Sequence, residues 1–131
     1  MKPFNQLLFA CLALCAPTVH AQTDEVCPTV FEKAELEKES VPTAQAARRV
    51  VGAGRLYFHS APDRQCQLAD AFVVPNDRLE AYAEHGEFTE VIYWNARTRA
   101  GTAGWVVTTR ITETAADPRP GPAVLSSNAL R

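Results

Sequence analysis

The sequence has few cysteines, four in 131 residues, and no two of them form a C-x-x-C pair. That spacing is typical of structural zinc sites and of thiol redox motifs. Histidine is equally scarce, with three residues in all, whereas a catalytic metal site needs about three protein ligands within reach of one another. We therefore expect the protein to bind no metal and no other cofactor.

The sequence also lacks a long hydrophobic run. Its longest apolar stretch, from Leu7 to Ala16, is too short to cross a bilayer, which takes about 20 residues. Lys2 before this stretch and Val19-His20-Ala21 after it are typical of a secretory signal peptide. We predict that residues 1–21 are a signal peptide cleaved after Ala21, and that the exported protein has no membrane span.

Export determines how the cysteines are interpreted. Cys11 and Cys15 would leave with the signal peptide, so Cys27 and Cys66 would remain. Two thiols in an oxidising compartment most often pair, and a loop of this size stabilises a fold by roughly 3 to 4 kcal/mol on the chain-entropy model. We predict a Cys27–Cys66 disulfide and a periplasmic location. Lipoprotein anchoring at Cys15 is the disfavoured alternative, because a small residue should precede that cysteine.

The chain has only a small excess of negative charge, with a formal net charge of −2. The chain is therefore not expected to bind nucleic acid. Acidic residues gather only between residues 24 and 40, where Thr29 as N-cap and Glu32 three residues later resemble a capping box. We predict an N-terminal helical extension over residues 22–48, either a solvated helix docked by its apolar side or an acidic docking surface.

After Pro42 the pattern changes from helical to extended, with short apolar stretches separated by turn residues. The first strand is predicted from Arg49 to Ser60, with a break or bulge at Gly52 or Gly54. Further strands are predicted at 72–74, within 78–88 and 89–96, and at the end of 95–111. Five short strands over residues 49–112 indicate a small barrel. The proline-containing residues 113–131 are predicted to be a flexible, disordered tail.

Three segments carry a family resemblance: "RLYFHSAPD", "FVVPNDRLEAYAEHGEFTEVIYWN" and "GWVVTTRI". From Gly54 to Ile111 the chain resembles the bacterial SH3-like (SH3b) domain, and more narrowly a set of small exported Gram-negative proteins. Two positions depart from the family pattern: Glu87-Phe88 where many members have Gly-Trp, and Asn76-Asp77 at a turn that usually contains glycine. The resemblance implies a mainly β fold, a five-stranded SH3-like barrel, with Phe88 in an apolar position.

Two groups of residues are candidates for ligand binding. SH3-like barrels that bind peptides use aromatic-lined grooves between loops, which points to Tyr57, His59 and Asp63 beside the first loop. Strand alternation predicts a second surface, because Leu79, Ala81, Val91 and Tyr93 should face the core while Tyr82, Ile92 and Trp94 point outward. The alternative is that the N-terminal helix covers this second surface. Trp105 is expected to serve in packing.

We expect no enzyme. His59 and Ser60 are neighbours on a strand, so their side chains should point to opposite faces, and Asp63 beside Pro62 is typical of a turn. The sequence instead favours a periplasmic, non-enzymatic binding module that recognises cell-wall peptide or an envelope protein partner. The alternative function is an inhibitor or immunity protein that neutralises a secreted toxin or wall hydrolase.

Overall fold

The computed structural model describes residues 23–115. The predicted signal peptide and residues 116–131 of the predicted tail lie outside this range. The described chain is mainly β, as expected, and consists of one α-helix and eight strands. They are α1 (Thr23–Glu37), β1 (Glu39–Ser40), β2 (Ala47–Val50), β3 (Leu56–His59), β4 (Gln67–Val73), β5 (Arg78–His85), β6 (Phe88–Trp94), β7 (Gly101–Val107) and β8 (Ile111–Glu113).

Helix α1 begins earlier than the sequence predicted. It starts at Thr23 and contains Pro28, so Thr29 is an internal helical residue and not the N-cap. The Thr29 hydroxyl donates to the Glu25 carbonyl oxygen at 3.0 Å, a bond that a mid-helix threonine commonly makes. Within residues 23–115, no helix is both long and apolar enough to cross a membrane.

The predicted strand from Arg49 to Ser60 is in fact two strands, β2 and β3. Gly52 and Gly54 separate them and have φ angles of 83° and 78°, a left-handed conformation that glycine adopts at little cost. The break therefore occurs where the glycines indicated it. The break changes the fold more than a bulge would, because the two strands have different partners. β2 pairs with β5 and β8, whereas β3 pairs with β4 and β7.

The strands form one curled antiparallel sheet in the order β4-β3-β7-β6-β5-β2-β8, with β1 added beside β5. The centre of the sheet is the meander β5-β6-β7. Its first hairpin turns at Gly86, which has a φ of 57°. Asn76, with a φ of 74°, takes the left-handed position in the turn before β5, so asparagine does there what glycine usually does.

The concave side of the sheet holds the main core. Its residues come from seven strands, so they join both ends of the sheet: Val50, Leu56, Phe58, Val73, Leu79, Ala81, Val91, Val106 and Ile111. A second, smaller cluster lies on the outer side, where Ala34 of α1 packs with Phe88 and Trp105. Trp105 is 1% exposed, which confirms its packing role, and Phe88 occupies an apolar position as expected.

The disulfide fixes α1 to the sheet, and the predicted pairing is confirmed. Cys27 of the helix is bonded to Cys66, with the two Cα atoms 5.7 Å apart. Cys66 ends a 3-10 turn over Arg64–Cys66, directly before β4. One covalent bond and one buried alanine thus hold the helix against the outer side of the sheet.

Candidate functional site

The outer side of β5 and β6 carries the exposed aromatic residues that strand alternation predicted. Leu79, Ala81 and Val91 are buried, and Tyr93 packs against the core, so the inward face is as expected. Tyr82 and Trp94 point the other way and are 49% and 53% exposed. Two large rings half exposed on neighbouring strands exceed what single surface apolar residues explain.

Trp94 and Ile92 converge over a glycine on the next strand. Trp94 is the cross-strand partner of Gly101, and a Cβ atom at Gly101 would lie 2.9 Å from Cζ3 of Trp94 and 3.0 Å from Cδ1 of Ile92. The two side chains therefore lie close against the β7 backbone. We call Tyr82, Ile92, Trp94 and Gly101 the aromatic face.

Helix α1 does not cover the aromatic face. Its buried contact is Ala34, which packs on Phe88 and Trp105 at the other end of β6 and β7. Beyond the helix, Lys38 donates to Glu35 at 2.6 Å and to Glu90 at 2.8 Å, which ties the chain to β6. The alternative in which the helix shields Tyr82 and Trp94 is therefore wrong, and the two rings stay accessible.

The surroundings of Tyr82 are acidic. Burial of part of the ring raises the pKa of the Tyr82 hydroxyl, and the negative charges of Glu80 and Glu90 raise this pKa further. The phenol is thus a neutral hydrogen-bond donor at physiological pH. The aromatic face therefore combines apolar rings with a phenol and nearby carboxylates.

A shallow groove of about 320 Å³ forms the second surface. We call it the arginine groove, because three guanidinium groups and no carboxylate group are among its lining side chains. It is lined by Arg55, Leu56, Tyr57, His59, Arg64, Gln67, Val107, Thr109 and Arg110. Of the predicted candidates, Tyr57 and His59 lie here.

Backbone and aromatic contacts hold two of the three arginines in place. Nε of Arg110 donates to the Val51 carbonyl oxygen at 2.8 Å, and its Nη2 donates to the Gly54 carbonyl oxygen at 2.9 Å. The guanidinium carbon of Arg55 lies 4.1 Å from the centre of the Phe72 ring, and this ring also contacts Tyr57 with centroids 5.7 Å apart. Arg64 is more exposed and lies 3.5 Å from Glu87.

His59 is a buried residue at the inner wall of the groove, 4% exposed. Its Nδ1 lies 3.2 Å from the Trp105 carbonyl oxygen, and because a carbonyl only accepts, Nδ1 carries the proton. Burial lowers the pKa of His59, and this effect outweighs the hydrogen bond to Trp105, which acts in the opposite direction. The imidazole is therefore neutral at physiological pH. It makes a T-shaped contact with the Phe88 ring, with the two centroids 5.0 Å apart.

Ser60 and Asp63, which follow His59 in the chain, also contact backbone groups. Asp63 Oδ1 accepts from the Gln65 amide at 2.9 Å and so caps the 3-10 turn, which is the turn role that the sequence indicated. The Ser60 hydroxyl lies 3.4 Å from the Cys66 carbonyl oxygen. The side chains of His59, Ser60 and Asp63 thus each contact a different backbone group and not one another.

The two surfaces lie at opposite ends of β7. Gly101 at its start lies beneath Trp94, and Val107 at its end lines the arginine groove. At about 3.3 Å per residue these positions are roughly 20 Å apart. Of the predicted candidates, Tyr82 and Trp94 therefore lie on one surface and Tyr57 and His59 on the other, with the buried Trp105 between them. Asp63 lines neither surface.

Sequence reasoning missed the arginines of the groove. Arg55, Arg64 and Arg110 belong to three different connecting segments, and the pairing of β3 with β7 brings them together. No local motif could have signalled this arrangement, since the residues are far apart in sequence. Among the groove residues, Tyr57 and His59 were predicted, from the aromatic-lined grooves of peptide-binding SH3-like barrels.

In the part of the chain described, residues 23–115, no group of three or more histidine, cysteine, aspartate or glutamate side chains could hold a metal ion. No protein-family model matches this chain, and neither a curated protein nor a solved structure shows a significant match to it.

Proposed function

We propose that this protein is an exported, non-enzymatic SH3-like binding module of the cell envelope, located in the periplasm. The aromatic face binds its partner, a cell-wall peptide or an envelope protein. The observation that carries the proposal is the exposure of Tyr82 and Trp94, about half of each side chain, on the outer side of the sheet and away from the cluster where Ala34 of α1 packs with Phe88 and Trp105. Tyrosine and tryptophan are the residues that most often dominate binding energy at interfaces.

The shape of the aromatic face supports a macromolecular partner over a small molecule. Neither the arginine groove nor the groove lined by Glu37, Glu39, Glu84, His85 and Gly86 includes Tyr82, Ile92 or Trp94. Small-molecule sites are concave and bury most of their ligand, whereas interfaces between macromolecules bury broad surfaces around a few aromatic anchors. A face with two protruding rings fits the second class.

The strand order supports the SH3-like part of the proposal. Strands β8 and β2 pair with each other beside the meander, so the first and last strands of the region are neighbours. Five strands in the order β8-β2-β5-β6-β7 thus follow one curved path around the core. The β3-β4 hairpin then extends this path by pairing with β7.

The disulfide and the absence of a membrane-spanning helix among residues 23–115 are compatible with export. Disulfides persist in oxidising compartments and are rare in the cytosol. A periplasmic envelope protein would meet wall peptide and secreted or membrane-bound proteins directly. These are the partners among which the aromatic face should be tested.

The test is co-sedimentation of the exported protein with purified sacculi, combined with affinity capture from envelope extracts. Trp94→Ala should abolish retention, because truncation of an interface anchor typically costs about 2 kcal/mol or more, which is roughly thirtyfold in affinity. The matched control is Leu36→Ala. Leu36 is 88% exposed on α1 and lies outside both surfaces, so its truncation should leave binding unchanged.

A second variant distinguishes the two surfaces. Tyr57→Ala removes the ring that lines the arginine groove without changing the aromatic face. If Trp94→Ala binds a confirmed partner at wild-type affinity, the aromatic face is not the site. Loss of binding in Tyr57→Ala alone would then assign the partner to the groove.

The second candidate function is inhibition of a secreted toxin or wall hydrolase. The broad aromatic face favours it, because a folded protein surface could cover both rings at once. Glu90 is paired with Lys38, but the carboxylate of Glu80 near Tyr82 favours a partner with basic residues, through charge complementarity. Inhibition of a purified wall hydrolase by the wild type, and not by Trp94→Ala, would support this candidate against wall binding.

A further inference from the structure

The arginine groove is a concentrated positive charge on a chain whose formal net charge is −2. Arg55, Arg64 and Arg110 all line it, and none of its lining residues is acidic. Like charges gathered without internal carboxylates repel one another, and an anion between them would relieve that repulsion. Charge alone therefore indicates an anionic ligand.

The geometry of Arg110 is suited to such a ligand. A guanidinium group has five N–H donors in a rigid planar fork, and the carbonyls of Val51 and Gly54 engage only Nε and Nη2. These two bonds fix the plane of the fork before any ligand arrives. Arg55 is fixed in a different way, by stacking on Phe72, which leaves the N–H edges of a guanidinium free to donate.

The remaining walls of the groove fit a peptide better than a bare ion. The Tyr57 ring and Val107 provide apolar surface, and Gln67 and Thr109 provide hydrogen-bonding groups. A volume of about 320 Å³ is at the small end of ligand sites, which span about 300 to 1,000 Å³. That is room for the end of a chain and not for a large headgroup.

We propose that the arginine groove binds the free carboxylate of a short peptide. Arg55, Arg64 and Arg110 donate hydrogen bonds to this carboxylate, and the Tyr57 ring packs against the adjoining peptide residue. A carboxylate matches the planar fork of a guanidinium with two parallel hydrogen bonds. This site is separate from the aromatic face, at the other end of β7. It can therefore succeed or fail independently of the proposed function.

Glu87 already occupies part of the hydrogen-bonding capacity of Arg64, because its carboxylate lies 3.5 Å from Nη2 of Arg64. Both side chains are largely exposed, 69% for Arg64 and 73% for Glu87, and ion pairs of this kind contribute little stability. A ligand carboxylate would compete with Glu87 for Arg64. Removing the Glu87 charge should therefore strengthen binding, whereas removing an arginine should weaken it.

The experiment uses the two histidines of the described chain as reporters. His59 lines the arginine groove, and His85 lines a different groove beside Glu37, Glu39 and Glu84. Their imidazole signals are followed by NMR at pH 7 and low salt while acetyl-Ala-Ala is added. We expect a saturable shift of the His59 signals with the His85 signals unchanged, and loss of the shift at high salt.

Analogues distinguish the sources of the negative charge. Acetyl-Ala-Ala amide lacks the terminal carboxylate and should give no saturable shift. Acetyl-Glu amide carries its carboxylate on a side chain and should bind more weakly than acetyl-Ala-Ala; equal binding would overturn the assignment to a terminal carboxylate. Inorganic phosphate is the third arm. Binding of the amide as tightly as the acid, or of phosphate more tightly than either peptide, would overturn the proposal.

Each variant replaces a charged side chain with the uncharged, polar side chain of glutamine. Arg55→Gln and Arg64→Gln should each weaken binding about tenfold or more, as expected for lost hydrogen bonds to a charged group, and Glu87→Gln should strengthen it. Arg97→Gln, in the turn between β6 and β7, is the matched control and should change nothing. Equal affinity in wild type, Arg55→Gln and Arg64→Gln would show that the groove does not bind carboxylate.

Discussion

The indole of Trp94 lies directly against Gly101, so that a Cβ atom at Gly101 would be 2.9 Å from Cζ3 of the ring. Real Cβ atoms do not approach other carbon atoms so closely. The two residues are paired across β6 and β7. The orientation of the exposed tryptophan therefore depends on the absence of a side chain at position 101.

Gly101→Ala should displace the Trp94 ring without unfolding the domain. The added methyl group would also meet Cδ1 of Ile92 at 3.0 Å, so both side chains must move. We expect a large shift of the Trp94 Nε1–H signal in the NMR spectrum, with the signal of the buried Trp105 as internal control. An unchanged Trp94 signal would show that the ring is not held against the β7 backbone.

Removal of the disulfide should strongly destabilise the protein. Cys27 and Cys66 are 39 positions apart, and the chain-entropy model assigns a loop of that size about 4 kcal/mol. The double variant Cys27→Ser/Cys66→Ser avoids a leftover thiol and should lose about 2 to 4 kcal/mol in the free energy of unfolding. Urea denaturation measures the loss, and a change below about 0.5 kcal/mol would contradict the prediction.

Stability should fall when the solution is acidified through the range in which His59 titrates. Burial lowers the pKa of His59 in the folded state, whereas the unfolded chain has a pKa near 6.5. The unfolded state therefore binds the proton first, and the free energy of unfolding decreases as the pH falls below about 6.5. The loss is complete once the pH is below the folded-state pKa.

His59→Gln provides the comparison for this pH dependence. Glutamine has no proton to gain, yet its amide nitrogen can still donate a hydrogen bond, as Nδ1 of His59 does to the Trp105 carbonyl oxygen. The variant should be less stable at pH 7.5 and should show a shallower decline between pH 7.5 and 5.5. Parallel declines in wild type and variant would mean that another group causes the acid sensitivity.

The Lys38–Glu90 ion pair should stabilise the docking of the helical extension by a small amount. Desolvation alone would lower the pKa of Lys38, but hydrogen bonds and charges from Glu35 and Glu90 together raise it. The Lys38 and Glu90 side chains are each 23% exposed, so solvent screens the pair only in part. A double-mutant cycle with Lys38→Met and Glu90→Gln should give a coupling of about 0.5 to 1 kcal/mol that shrinks in 1 M salt. A coupling of zero at low salt would contradict the pairing.

Several features followed from the sequence because they are set locally. Alternation on β5 and β6 separates Leu79 and Ala81 in the core from Tyr82 outside, and no distant residue is needed to see it. The break between β2 and β3 followed from Gly52 and Gly54 for the same reason. The Cys27–Cys66 pairing followed because only two cysteines remain after the predicted signal peptide.

Other features could not be predicted, since they depend on tertiary contacts. The sequence did not indicate that α1 would begin at Thr23, because Thr29 and Glu32 resemble a capping box; the helix instead continues through Pro28, which removes one backbone hydrogen bond and crowds the preceding turn. β4 begins at Gln67, in a polar stretch that lacks the usual strand pattern. The arginine groove depends on where β3 and β7 meet, and no local signal encodes that position.

The 3-10 turn over Arg64–Cys66 links the redox state of the disulfide to the arginine groove. Arg64 and Gln67, on either side of this turn's cysteine, both line the arginine groove, and Cys66 itself is the residue joined to α1. One oxidation event therefore anchors the helix and immobilises part of the groove wall. Before that event the turn that carries Arg64 has no covalent tie to α1, so we expect the reduced protein to bind a peptide carboxylate more weakly than the oxidised protein.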